Sequence, residues 1–335
     1  MKSKIIIIAE IGINHNSSLK IAKKLIEKSK IAGADFVKFQ IFKAENVSSV
    51  SARKSSYQKK NIKDKESQFN MLKRYELKFD DFKILKKECK KHNIKFLCSP
   101  FDIESAKFLK KMGEKIIKIP SGEITNLVLL KELGSYGGKI FLSTGMSNLK
   151  EINDAINILI KSGTKRKNIS VLHCVTAYPT PMKFVNLNVL SNLKKKLKLS
   201  IGLSDHTEGV EVAVAAVALG ANIIEKHITL DKKALGPDHK SSLNPEEFKK
   251  LVLSIRNIEL ALGTNKKKLQ KCEKSNINVA RKSIVAKTNI IKREIFSLKN
   301  LTVKRPGNGI SPMKLESLLG MRSKRSYKKD EIIKK

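Results

Sequence analysis

The chain has no tryptophan, aromatic residues make up only 5% of it, and its four cysteines, Cys89, Cys98, Cys174 and Cys272, show no CxxC or other ligand spacing. Each shortage excludes something. With so few rings, a core must be built mainly from Ile, Leu, Val and Ala, a composition that suits an α/β protein. Scattered cysteines indicate neither a zinc site nor a disulfide framework, and a reducing cytoplasm is the expected location. Long apolar runs are missing too: residues 5–8 follow only two lysines and are stopped by Glu10, too short for a signal peptide or a membrane span. That run reads as a buried strand.

Acidic residues are scarce: 31 Asp and Glu face 69 Lys and Arg, a formal net charge of +38. Such an excess invites a nucleic-acid reading, because a basic face releases counterions from a phosphate backbone. The distribution argues otherwise. The basic residues are overwhelmingly Lys and run through the whole chain, with short clusters such as 194–196 and 266–268 where helix ends or linkers fall. A nucleic-acid reader more often interleaves Arg and aromatics on one surface. Compositional drift towards Lys, Ile and Asn accounts for the charge, which is still able to draw in anionic substrates.

At 335 residues the chain suits one large domain and one small one, since single cores stop growing near roughly 250–300 residues. Short apolar runs at 5–11, 36–40, 96–100, 116–120, 140–144, 169–174, 199–205 and 223–229 predict strands. Amphipathic segments such as 19–32, 79–92, 126–136, 149–162, 209–220 and 245–262 predict helices between and after them. This alternation predicts an α/β fold, a (β/α)8 TIM barrel over residues 1–262, with a doubly wound sheet as the alternative. The polar stretch 41–78 is long for a βα connection and is a candidate lid over the barrel mouth, or else a disordered surface loop. Residues 263–280 read as a linker, and 281–335 as a small, mainly β domain with strands at 283–286, 290–296 and 301–303 and a turn cluster at 305–309.

In such a barrel, reactive side chains gather where strands end. The polar residues are placed accordingly: Glu10, Asn14 and His15 on the first strand, Lys38 and Gln40 on the second, then Ser99; Lys118, Ser121 and Glu123; Ser143; Tyr178; Ser204 and His206; and Glu225 with His227. His206 and His227 close adjacent strands, so their imidazoles are able to share one divalent ion, or are simply satisfied histidines in the barrel mouth. Two histidines plus oxygen ligands suit Mn²⁺, with Mg²⁺ and Co²⁺ as other candidates, and leave positions open for a Lewis-acid role. Lysines inside strands are costly unless paired or facing a polar cavity, which Lys38 and Lys118 therefore predict. With the hydroxyls of Ser99, Ser121, Ser143 and Ser204 they make a pocket for a small anion carrying phosphate and carboxylate; a Schiff-base lysine is the competing reading.

The ordered motifs 9–16 (AEIGINHN), 37–40 (VKFQ), 118–123 (KIPSGE), 142–146 (LSTGM), 178–181 (YPTP), 202–206 (GLSDH), 225–227 (EKH) and 236–238 (GPD) resemble those of bacterial sialic acid synthases. KRPGNG at 304–309 resembles the signature of their C-terminal SAF, or antifreeze-like, domain. The resemblance covers nearly the whole chain. It implies a metal-dependent condensation of phosphoenolpyruvate with the open-chain aldehyde of an amino sugar. His206 and His227 match metal ligands; Lys38, Ser99, Lys118, Ser121, Ser143 and Ser204 match positions that hold phosphoenolpyruvate. Gln40, Glu123, Tyr178 and Asp238 match positions that contact the sugar, and Arg305 matches an arginine that reaches the partner's site in a domain-swapped homodimer. Glu123 or His206 then positions or deprotonates the attacking water, while Lys118 remains a cation.

Departures from the family pattern are few. Asn16 stands where members often carry Glu, an acid suited to proton transfer, and is retained as a catalytic candidate. Ser17 replaces a frequent Gly and is expected to adopt a turn conformation that Gly takes without strain. The resemblance implies N-acetylmannosamine as the first expected acceptor, giving N-acetylneuraminate, and 2,4-diacetamido-2,4,6-trideoxymannose, giving a legionaminic acid, as its rival. No nucleic-acid or membrane partner is expected.

Overall fold

The computed structural model describes residues 4–62 and 66–334. It divides into two compact units, residues 1–263 and 264–335.

Eight parallel strands form the first unit: β1 Ile6–Gly12, β2 Phe36–Ile41, β3 Lys95–Pro100, β4 Ile116–Ile119, β5 Lys139–Ser143, β6 Ile169–Cys174, β7 Ser200–Asp205 and β8 Ile223–His227. The ladder runs β3-β2-β1-β8-β7-β6-β5-β4, and β3 packs beside β4 to close a (β/α)8 barrel. The helices are α1 Leu19–Ile31, α2 Ala44–Val47, α3 Ser56–Ile62, α4 Gln68–Tyr75, α5 Phe79–Lys91, α6 Ile103–Lys111, α7 Leu127–Gly134, α8 Leu149–Lys161, α9 Val189–Leu197, α10 Glu211–Ala218 and α11 Pro245–Ala261. All except α2, α3 and α4 follow a barrel strand in the manner of the fold; those three occupy the long connection after β2.

Parallel strands buried on both faces need apolar side chains on both. Ile8, Phe36, Leu97, Phe141, Leu172 and Ile223 fill the barrel interior, while a larger cluster that includes Ile7, Val37, Leu142 and Ile224 faces the helices. Local chemistry fixes where helices start. Ser18 accepts from Ile21 N, Asp102 from Ser105 N, and Asn148 and Asn244 form reciprocal capping boxes with Glu151 and Glu247.

Opposite the cavity mouth, the unit's last helix is tied to its first strand. Arg256 donates to Ile5 O and Asp35 Oδ2, both at 2.8 Å, Asp35 also accepts from Ile7 N at 3.0 Å, and Glu259 accepts from Ile5 N.

The second unit pairs β9 Ser283–Ala286 antiparallel with β10 Leu301–Lys304 around a core of Ile284, Ala286, Ile290, Phe296, Leu301, Tyr327 and Ile333. Residues 290–296 do not form the strand expected of them: Ile290 and Ile295 make single bridges, because Arg293 between them takes a φ of 71° that ends extended backbone. Residues 263–280 are more than a linker, since they hold a 3-10 turn at Lys271–Glu273 and α12 Lys274–Ala280.

Candidate active site

The floor of the site follows from strand register. Glu10 on β1 lies opposite Lys38 on β2 and His227 on β8, and Ser204 on β7 lies opposite Glu225 on β8. Alternating residues point into the barrel, so these side chains converge at its C-terminal end. Two glycines permit the approach. A Cβ at Gly202 would stand 2.5 Å from Ile223 O, and one at Gly12, whose φ is +54°, would meet Glu10, Gln40 and His227.

A buried ion cluster results. Lys118 Nζ donates to both oxygens of Glu225 at 2.8 and 3.1 Å, and Ser204 Oγ donates to Glu225 at 2.8 Å. Lys38 Nζ lies 3.1 Å from Glu10 and 3.4 Å from Glu225, and donates to Ser99 Oγ at 3.2 Å. Burial opposes charge on Glu225, yet Lys118 and Lys38 hold it well below the usual carboxylate range. Burial pushes Glu10 up to about 7 against the pull of Lys38. It also lowers the Lys118 amine, an effect that Glu225 counters. Two lysines paired with two carboxylates avoid the cost of isolated buried charge.

Above this floor opens a cavity of about 450 Å³, a size that suits small ligands. Lys38, Gln40, Lys118, Ser121, Glu123, Ser143, Tyr178, Ser204, His206, His227 and Asp238 all line it. Ser99 is not among the lining residues but accepts from Lys38 Nζ, which is. Ser143 Oγ is buried with no hydrogen-bond partner among the described residues, a polar group whose place suits a ligand oxygen. Glu123 is raised by burial, although Asn126 donates to it at 2.7 Å, and burial pushes Asp238 up to about 6.

One expected site residue stands apart, and another belongs to the second unit. Asn16 does not line the cavity: it is exposed, donates to Leu235 O at 3.3 Å and stands 3.2 Å from His239 Nε2, so it ties the β1 loop to the loop after β8. Its neighbour Ser17 does take the left-handed conformation, with φ 58°. Arg305 belongs to the second unit, where it is exposed and donates to Ala280 O at 3.1 Å.

Residues outside the expected set complete the cavity. Glu10 and Glu225 were visible as strand-end acids, but their partnership with the lysines was not. Tyr57 of α3 stacks on Tyr178 with ring centroids 4.6 Å apart, and Tyr178 lies 4.1 Å from the His206 ring. The 41–78 connection therefore covers the barrel mouth; its residues 63–65 lie outside the described residues.

The two histidines fit a divalent ion. Their ring centroids are 5.4 Å apart, and His206 Nδ1 lies 3.0 Å from Val175 O, which orients the ring and leaves Nε2 as the free nitrogen. His227 Nδ1 is buried without a hydrogen-bond partner among the described residues, and burial holds that imidazole neutral, well below its ordinary pKa. Among the described residues no group of three or more His, Cys, Asp or Glu is arranged around a metal, so oxygens of water or ligand would complete the shell.

Fold and cavity together define a barrel enzyme whose chemistry lies at the C-terminal strand ends, followed by a small β unit. The NeuB family model matches residues 25–267, and the SAF domain model matches 281–335. The chain belongs to the NeuB family, and is an enzyme of the class that condenses phosphoenolpyruvate with an amino sugar. It is 54% identical to an N,N'-diacetyllegionaminic acid synthase of Campylobacter jejuni, over 99% of both chains. It is 34% identical to the human N-acetylneuraminate-9-phosphate synthase, over 98% of this chain and 90% of that one. A crystal structure of N-acetylneuraminic acid synthetase from Leptospira borgpetersenii superposes with a TM-score of 0.72 at 34% identity, covering 82% of this chain and 90% of that one.

Proposed function

We propose that the chain is an N,N'-diacetyllegionaminate synthase, joining phosphoenolpyruvate to open-chain 2,4-diacetamido-2,4,6-trideoxymannose and releasing phosphate. This reverses the order of acceptors expected from the sequence. What favours it is the 54% identity, over almost the full length of both chains, with the Campylobacter relative of that name, against 34% for the human one.

The chemistry rests on the buried pair Lys38 and Lys118, which line the same cavity as the Ser143 hydroxyl, unpartnered among the described residues. On this reading the lysines bind the phosphate and carboxylate of phosphoenolpyruvate, with Ser121, Ser143 and Ser204 donating hydroxyls. Glu10 and Glu225 together raise the Lys38 amine, and Glu225 counters the burial that lowers Lys118, which favours anion binding over Schiff-base chemistry. Gln40, Tyr178 and Asp238 orient the sugar so that its aldehyde carbon meets C3 of phosphoenolpyruvate. A divalent ion, Mn²⁺ by the donor set, held by His206 and His227 would supply Lewis-acid polarisation of the aldehyde oxygen when bound.

Carbon–carbon bond formation leaves C2 electron-poor, water adds there, and the C2–O bond to phosphate breaks. Glu123, raised by burial, accepts the proton of that water. In the same proposal the chain works as a homodimer in which Arg305 of one copy completes the site of the other.

The test is phosphate release from phosphoenolpyruvate with either sugar, in Mn²⁺ and after chelation. Release with the diacetamido sugar, lost on chelation and restored by Mn²⁺, is the expected result. Release that survives chelation, together with borohydride trapping of substrate on Lys118, would replace the metal reading with a Schiff-base one.

A further inference from the structure

The cavity has two unlike halves. Its floor is the ion cluster; its upper wall is apolar, made by Ile13, Phe42, Val47, Met71, Leu72 and Phe101. These six belong to one separate hydrophobic cluster, distinct from the barrel interior and from the layer between strands and helices. Sealing the barrel does not account for all of it: Val47, Leu72 and Phe101 are only half-buried and face the cavity.

Of the two reactants, phosphoenolpyruvate is a small polyanion that matches the lysines and gains nothing from an apolar wall. The wall must serve the other. A hydroxyl pressed against such a surface without a partner loses its water at a net cost, whereas a methyl group gains from the same burial. N-acetylmannosamine carries one methyl, in its acetamido group. 2,4-Diacetamido-2,4,6-trideoxymannose carries three, because acetamido replaces the 4-hydroxyl and C6 ends as a methyl. Helix α4 offers a matching surface: Gln68, Met71 and Leu72 stand at i, i+3 and i+4, one face, and all three line the cavity. A carboxamide beside apolar side chains is the complement of an acetamido group, amide to amide and methyl to methyl.

We infer that the wall formed by Val47, Met71 and Leu72, with Gln68 beside it, is the specificity surface that receives the 4-acetamido and C6 methyl groups of the sugar. The inference rests on the acceptor proposed above and goes further by naming the residues that select it. One added methyl in an apolar pocket typically discriminates about 10- to 200-fold. The wild-type ratio of kcat/KM for the diacetamido sugar over N-acetylmannosamine is therefore expected to be about 100 or more.

The experiment measures that ratio for the wild type, Leu72→Asn, Val47→Thr and the conservative Leu72→Met, using the full chain loaded with Mn²⁺. Leu72→Asn and Val47→Thr each lower the ratio about tenfold, and Leu72→Met keeps it near the wild-type value. Val47→Thr is nearly isosteric and half-buried, so it reads the ratio even where Leu72→Asn fails to fold. A wild type that favours the diacetamido sugar, with a ratio unmoved in Leu72→Asn and Val47→Thr, overturns the specificity wall and leaves the proposed acceptor standing. A wild type that favours N-acetylmannosamine overturns both.

Discussion

Floor and roof of the same cavity are built by opposite rules. The floor consists of charged side chains at strand ends, each held by ladder register and by a second charge, as Lys118 of β4 is by Glu225 of β8 across the barrel. The roof consists of short helices in one long connection, packed through apolar contacts. Moving a floor residue disturbs both the sheet and its ion pair. A roof residue is able to change while the strand ladder keeps its register, so the roof can tune which second reactant is accepted without altering the machinery beneath.

Lys118→Met strikes that contrast hardest. It leaves Glu225 with a buried charge lacking its closest partner, and is expected to cost about 3–5 kcal/mol in urea unfolding. Turnover should fall by about 10²–10³ if Lys118 holds phosphoenolpyruvate as proposed. A variant of near wild-type stability and activity would show that the floor tolerates change as the roof does. Tyr57→Ala is the corresponding change above. Loss of its stacking on Tyr178 is worth about 0.5–1.5 kcal/mol, so the sugar KM should rise about 2- to 13-fold, more than the KM for phosphoenolpyruvate, with unfolding little affected. An equal rise in both constants would assign Tyr57 to the floor.

A further effect is a pH dependence in the loops that flank the cavity. Burial holds His15 and His239 near 4, against an ordinary value of 6.5, and Ser17 N donates to the unprotonated Nδ1 of His15 at 3.0 Å. Both folded values are depressed. Their stabilisation is therefore present above pH 6.5 and is lost as pH falls towards 4, by roughly 1.4 kcal/mol per histidine at pH 5.5. Glu10 and Asp238, raised to about 7 and 6, act with the opposite sign, their stabilisation fading as pH rises through those values. A His15→Asn, His239→Asn double variant retains both acids, so its urea midpoint compared with wild type from pH 7 to 4 isolates the histidines. Parallel profiles would remove them as the cause.

The same contrast governs what the sequence could disclose. Strands buried on both faces read as apolar runs, and a lysine inside such a run, as at Lys38 or Lys118, is conspicuous because nothing local stabilises it. Its partner is harder to see: Glu225 is 107 residues from Lys118, and only barrel closure brings them together. The roof was legible as a long connection but not as a wall, because Val47, Met71 and Leu72 sit in polar surroundings and become a surface only through tertiary packing. Asn16 had a suitable side chain at a suitable strand end, yet a left-handed turn, φ 48°, accompanies its placement away from the cavity. Residues 290–296 had the composition of a strand but not its backbone.

The tie between Arg256 and the first strand also bears on how the chain is made. β1 pairs with β2 soon after both emerge, but its other edge belongs to β8, and the Arg256 bond to Ile5 spans 251 residues. At about 5–20 residues per second, a ribosome needs roughly 12–50 seconds to deliver that partner. For most of that interval the nascent barrel carries an open β1 edge, a template for unwanted pairing that closes only when β8 has been synthesised, and the Arg256 tie follows from α11.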